Sequence, residues 1–223
     1  MDMKGNIQPA AFLKRSHEKR NQVNKPGFYH LYARTVDGGR LFYRLSDFKK
    51  LLTVMEDARK RFDGTRIIIV VCMSNHFHLV AYSPDVMGFK TFVCRKYCGW
   101  YNLKYSRRGP LLEDSSIKAS QLPYREAIRD KILYNANNPV KAKLCKTAFG
   151  YKYSSLRSLT LRPWVWKTHI TIDSDYIISM FGSVENLKQA LLKEMDYKSI
   201  LKKSYEREGP PQWLEGVFSD EAL

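Results

Sequence analysis

Two histidines one residue apart are the side chains in this sequence best placed to do chemistry. They are His76 and His78, within the run Val70-Val71-Cys72-Met73-Ser74-Asn75-His76-Phe77-His78-Leu79-Val80. The β-branched and apolar neighbours predict a strand. Side chains alternate across a strand, so His76 and His78 share one face with Val80 and Tyr82, while Phe77, Leu79 and Ala81 take the other. Neutral imidazole is the commonest protein metal ligand, and a pair held on a rigid strand is half of a metal site. The competing explanation is two partly buried histidines hydrogen-bonded to their neighbours. The chain has five histidines in all, and position 80 is Val, so an HxHxH triplet is absent. No downstream Glu and His stand at cupin spacing, and an amidohydrolase barrel normally needs a longer chain.

A second set lies in the segment from Tyr124 to Asn138, read as a helix stopped by Pro139. Its apolar stripe is Ile128, Ile132 and Ala136. Tyr134 sits about 160–200° round the helix from Ile132 and Ala136, off that stripe. Asn138, one turn further on, shares the Tyr134 side. A tyrosine is more often packing than chemistry, and this chain has 14 of them. Asn138 also has a plain role as the residue before a proline. A tyrosine turned away from its own helix's packing stripe, beside an amide oxygen at i+4, is less easily put down to packing.

The ordered set Met73-Ser74-Asn75-His76-Phe77-His78-Leu79-Val80, then Tyr134-x-x-x-Asn138-Pro139-Val140-Lys141-Ala142, resembles the IS200-like single-tyrosine (Y1) HUH transposases. Within them it is most similar to the REP-associated tyrosine transposases, a domesticated bacterial branch. His30-x-x-x-Arg34, Arg108-Gly109-Pro110-Leu111 and Tyr153-Ser154-Ser155 add to the likeness, which covers roughly residues 27–157. Phe77 as the middle residue, Tyr153 where the family often has Trp, and the long basic N-terminal arm depart from the pattern. None of these removes a reacting group. The resemblance implies that His76 and His78 bind Mg²⁺ or Mn²⁺, that Asn138 stands at the third ligand position, and that Tyr134 is the nucleophile. It implies a single-strand DNA endonuclease and transesterase acting at hairpin DNA through a 5′-phosphotyrosine. The rival from another class is a domesticated DNA-binding module without strand cleavage in the cell; a nicking assay separates the two. A replication or mobilisation initiator of the wider HUH group would normally carry extra histidine ligands or another motif order.

The elements that must position these residues read as β α β β α (β) α. A strand runs from Phe28 to Thr35, followed by a turn at Asp37-Gly38-Gly39 and a helix capped by Ser46 with Phe48, Leu51, Leu52 and Met55 in register. Asp63-Gly64 turns into the strand Arg66 to Met73, and Ser74-Asn75 turns into the strand His76 to Tyr82. Pro84-Asp85 opens a helix carrying Phe89, Phe92, Val93, Tyr97, Trp100 and Tyr101, ending near Arg107 to Pro110. Leu111 to Ser120 fits either a short strand or an ordered loop. Short helices follow near Asp173–Phe181 and Val184–Glu194. The order predicts an α+β, ferredoxin-like antiparallel sheet with helices, the HUH endonuclease fold. Three parts are expected: a basic arm over 1–25, a catalytic domain over 26–158 and a helical C-terminal extension over 159–223.

Charge sets the partner class. The sequence of 223 residues holds 38 Lys+Arg against 22 Asp+Glu, a net charge of +16. Such a field attracts polyanions, nucleic acid first and an anionic membrane surface second. Arg34, Arg95, Lys96, Arg107 and Arg108 are the candidate DNA contacts, although a solvated surface charge is the simpler reading of any one of them. The longest apolar run, Ile67 to Met73, is too short to span a bilayer, and no apolar leader is visible at the N-terminus. The four cysteines show neither CxxC nor zinc spacing, and Cys94 and Cys98 read as small buried thiols. The expectation is a cytoplasmic protein in a reducing compartment, working as a monomer or homodimer on single-stranded or hairpin DNA.

Overall fold

The computed structural model describes residues 25–113, 118–160 and 169–201. Its elements are β1 (Gly27–Arg34), α1 (Leu45–Arg61), β2 (Arg66–Met73), β3 (His76–Ser83), α2 (Val86–Lys104), β4 (Lys118–Leu122), α3 (Arg125–Lys141), α4 (Ser174–Phe181) and α5 (Val184–Leu201). The four strands form one sheet in the order β2-β3-β1-β4, with every pairing antiparallel. This is the expected ferredoxin-like arrangement. The expected basic arm lies outside the described residues apart from its last position, Lys25.

Alternation divides the sheet into two unlike faces. Leu31, Ala33, Phe77 and Leu79 meet Phe89 and Val93 of α2 in a dry layer on one side. α1 packs against α2 on that side. The other side carries His30, Tyr32 and Arg34 from β1 beside His76, His78 and Val80 from β3. α3 covers part of this second side, with Ile128, Ile132 and Ala136 buried as the stripe requires.

β2 is an edge strand, yet all of it except Arg66 is buried. The segment after α3 explains why. Val71 bridges Ser154, the Cys72 N–H donates to the Tyr153 carbonyl at 2.9 Å, and the Val70 N–H donates to Ser155 Oγ at 2.9 Å. The edge is therefore capped by the chain's own backbone instead of being left as a template for pairing. The described part of the C-terminal extension packs back on the domain. Phe28 and Tyr176 stack at 4.9 Å, and Asn137 of α3 donates to the Leu191 carbonyl of α5 at 3.0 Å.

Several boundaries differ from the sequence expectation. α1 starts at Leu45 with Arg44 as its N-cap, not at Ser46. The capping group is the Asp47 carboxylate, which reaches back to accept the backbone N–H of Tyr43 at 2.8 Å and of Arg44 at 2.9 Å. An acid at the third helical position thus satisfies the N-cap N–H, a different donor from those a capping serine would take. α2 ends at Lys104, short of the expected Arg107. The undecided stretch resolves into a lone bridge from Leu112 to Thr35 and the strand Lys118–Leu122. Pro139 does not stop α3, which runs on to Lys141. A proline in the last turn forfeits only its own N–H bond, and the Ala142 N–H still closes on the Asn138 carbonyl at 2.9 Å. Among the described residues no helix is long and apolar enough to cross a membrane. All four cysteines are free thiols, Cys72 and Cys94 buried, Cys98 and Cys145 half-buried.

Candidate active site

The hairpin between β2 and β3 turns in two residues, Ser74 and Asn75, and that turn is fastened from the side. The Thr35 N–H donates to the Asn75 carbonyl at 2.9 Å, and the Leu41 N–H donates to the Ser74 carbonyl at 2.6 Å. The strand leaving the turn is thus fixed in register: His76 stands opposite Arg34 and Met73, His78 opposite Tyr32 and Val71. Phe77, pointing the other way, is buried in the α2 layer.

The two imidazoles lie on one face with ring centroids 5.1 Å apart and planes near perpendicular, at 89°. Each ring is held by its Nδ1. His76 Nδ1 meets the Asn75 carbonyl oxygen Oδ1 at 2.7 Å, which makes Nδ1 the protonated nitrogen and leaves the Nε2 lone pair open. His78 Nδ1 meets His30 Nε2 at 3.1 Å. When His78 donates across that contact, its Nε2 lone pair is open too. Such contacts from behind are how ligating histidines are usually oriented. Burial pulls the pKa of His76 down to about 4, helped by the charge of Arg34. Burial pulls His78 down to about 2, with His76, His30 and Lys131 adding to the effect, and His30 down to about 4, with Lys131 adding. All three rings are neutral at pH 7, the state that can ligate.

α3 brings Tyr134 to this face. Its ring is 38% exposed and stands edge-on to His78 at a centroid distance of 6.1 Å. The ammonium groups of Lys131 and Lys141 lie 4.9 and 4.8 Å from the Tyr134 ring centre. Asn138 follows one turn on, and its buried Nδ2 has no hydrogen-bond partner. Among the described residues no three His, Cys, Asp or Glu side chains gather as a ready metal cluster. The side chains on this face with lone pairs to offer are the two neutral imidazoles, with the Asn138 amide one turn beyond Tyr134.

The candidate DNA contacts separate. Arg34 is exposed at the end of β1 opposite His76. Arg95 and Lys96 lie exposed on α2, behind the sheet from the histidines. Arg107 is committed to the carbonyls of Pro110 at 2.7 Å and Gly109 at 3.4 Å, shaping the loop after α2. Arg108 is exposed in the same loop. The sequence reading gave no site role to His30, Tyr32, Lys131 or Lys141. His30 and Tyr32 share the Arg34 face by simple alternation, and the strand order alone puts that face beside His78. Lys131 at i−3 from Tyr134 was a legible signal as well.

No protein-family model matches the chain, and no curated protein matches it. Among solved structures it is similar in fold to a REP-associated tyrosine transposase bound to a REP hairpin. That similarity has a TM-score of 0.52 at 16% identity over 67% of this chain and 90% of the other. The likeness is one of fold, carried by the four-stranded antiparallel sheet with its helices.

Proposed function

We propose that this chain, on a fold it shares with a hairpin-bound tyrosine transposase, is a single-strand DNA endonuclease and transesterase of the Y1 HUH type. The observation that carries the proposal is the approach of the Tyr134 ring to His78 within a single chain. That approach supports a site completed in cis, so a monomer suffices.

Tyr134 Oη attacks the phosphorus of a phosphodiester. The new bond joins Oη to phosphorus, the bond to the 3′ oxygen breaks, and the leaving 3′ oxygen takes up a proton as Tyr134 gives one to solvent. The 5′ phosphate stays on Tyr134, so the bond energy is kept for rejoining the strand. His76, His78 and Asn138 are the residues that would hold Mg²⁺ or Mn²⁺. Such an ion supplies charge neutralisation and orientation of the phosphate. Lys131 places positive charge beside the ring, where the attacking oxygen and the phosphate both carry negative charge, while the Lys141 ammonium on the ring is ion-paired with Glu194 at 3.1 Å. Asn75 and His30 hold the two imidazoles in their ligating orientation. α3 fixes the approach of the phenol, a weak nucleophile until it loses its proton.

The test is covalent capture. Incubating a labelled hairpin strand with Mn²⁺ gives a denaturant-resistant adduct with the wild type and none with Tyr134→Phe or with His76→Ala/His78→Ala. An adduct surviving in Tyr134→Phe would move the role to another tyrosine. Hairpin binding with no adduct in the wild type would favour the domesticated binding module.

A further inference from the structure

α3 carries an amide among the apolar side chains it packs on the sheet. Asn135 is fully buried, yet neither its Oδ1 nor its Nδ2 has a hydrogen-bond partner among the described residues. A buried amide in that state is costly, because it gives up its hydrogen bonds to water and gains none in return. The same helix shows how a structural asparagine is satisfied. Asn137, just as buried, donates to the Leu191 carbonyl of α5 at 3.0 Å and to the Glu194 carboxylate.

The position of Asn135 on the helix says from which side a partner would come. At about 100° per residue it lies about 20° from Ile128 and about 60° from Ile132, on the side that packs against β2 and β3. Round the other way come Lys131 at about 40°, Asn138 at about 60° and Tyr134 at about 100°. The charge of Lys131 acts on His78 and His30, and the Tyr134 ring stands against His78. Asn135 follows Tyr134 directly, only about 1.5 Å further along the helix axis. It therefore stands at the border between the core stripe and the histidine face. Asn138, one turn on, holds a second buried amide nitrogen without a partner. Two such amides suit a hydrated cation. Amide oxygens ligate hard divalent ions, and amide N–H groups donate to the water or phosphate oxygens around them.

We propose that Asn135 is a further cation-binding residue, offering its amide oxygen to the divalent ion of the His76/His78 site while its Nδ2 donates to an oxygen in that ion's shell. The proposal rests on the metal-dependent reading above. It makes Asn135 a side chain that destabilises the metal-free fold and stabilises the loaded one. A residue there for packing alone would do neither.

The experiment takes the full chain without DNA and measures two quantities. One is the melting temperature of the metal-free protein; the other is Mn²⁺ affinity by calorimetry, with free Mn²⁺ followed by electron paramagnetic resonance. Asn135→Leu, of similar size, should melt no lower than the wild type and yet bind Mn²⁺ at least about tenfold more weakly. Asn135→Asp keeps an oxygen in place and adds charge, so it should bind Mn²⁺ at least as tightly as the wild type. His76→Ala/His78→Ala should bind none. Unchanged affinity in Asn135→Leu overturns the proposal and leaves the functional reading standing, provided the double histidine variant has lost its Mn²⁺. A fall in both melting temperature and affinity in Asn135→Leu also overturns it, since that is the mark of a structural residue. Mn²⁺ binding that survives the loss of both histidines, or a wild type that binds none, defeats the metal-dependent reading itself, and the proposal falls with it.

Discussion

Tyr134 and His30 act at the same place in different ways, and their substitutions should separate. Tyr134→Phe deletes one oxygen from a part-exposed ring, so stability should stay within about 0.5 kcal/mol while the covalent adduct disappears. His30 touches the proposed metal site only through His78 Nδ1. His30→Ala should weaken the apparent Mn²⁺ affinity by about 10–100-fold, the usual effect of removing a partner that orients a ligand. A Mn²⁺ titration of adduct formation, repeated by isothermal calorimetry without DNA, reads this directly. An unchanged affinity would mean that the His30 contact is packing alone.

At the scale of elements, the junction of α1 with α2 turns on Asp47. Its fully buried carboxylate accepts from two backbone N–H groups, from Tyr105 Oη and from Lys104 Nζ. Burial alone would raise its pKa, but the hydrogen bonds from Lys104, Tyr105 and the backbone outweigh it and hold the carboxyl below the usual range. As pH falls, the unfolded chain takes up this proton first. The Asp47 contribution is therefore present above about pH 4 and lost as pH falls through the folded value below that. Asp47→Asn should cost about 2–3 kcal/mol at pH 7, and the gap to wild type should narrow by pH 3. Thermal melts of both proteins at the two pH values measure it. A gap that widens in acid would contradict the assignment. α3 shows another property of elements. Asn137 and Lys141 reach α5 while Ile132 reaches the sheet, so this helix is buried on two sides and its tyrosine has little room to wander.

For the whole molecule, charge gives attraction and shape must give selectivity. A net charge of +16 predicts hairpin affinity that falls steeply with salt, each phosphate contact on a single strand adding about 0.7 to the logarithmic slope. Arg34→Gln, beside His76, should lower that slope by about one contact's share. Arg95→Gln/Lys96→Gln, behind the sheet, should leave it nearly unchanged. An equal loss from both would show that DNA wraps onto the helical side. Folded single strands should outcompete plain duplex of the same sequence, because unpaired bases offer faces to stack.

Period and punctuation alone determined a large share of this protein. Two-residue alternation places His76 and His78 together, the stripe Ile128, Ile132 and Ala136 turns Tyr134 outward, and the β-branched run at Ile67 to Val71 marks a core strand. These are local rules, and a short window of sequence contains everything they need. What no window contains is which strand lies beside which. The partnership of His30 with His78 spans 48 residues, a pocket lined by Arg40 and Arg107 joins the β1–α1 connection to the end of α2, and the removal of Arg95 and Lys96 to the far side follows from the layer α2 occupies. Such neighbours are fixed only when the sheet closes in the order β2-β3-β1-β4, because burying two unlike faces at once selects the pairing that local preference leaves open.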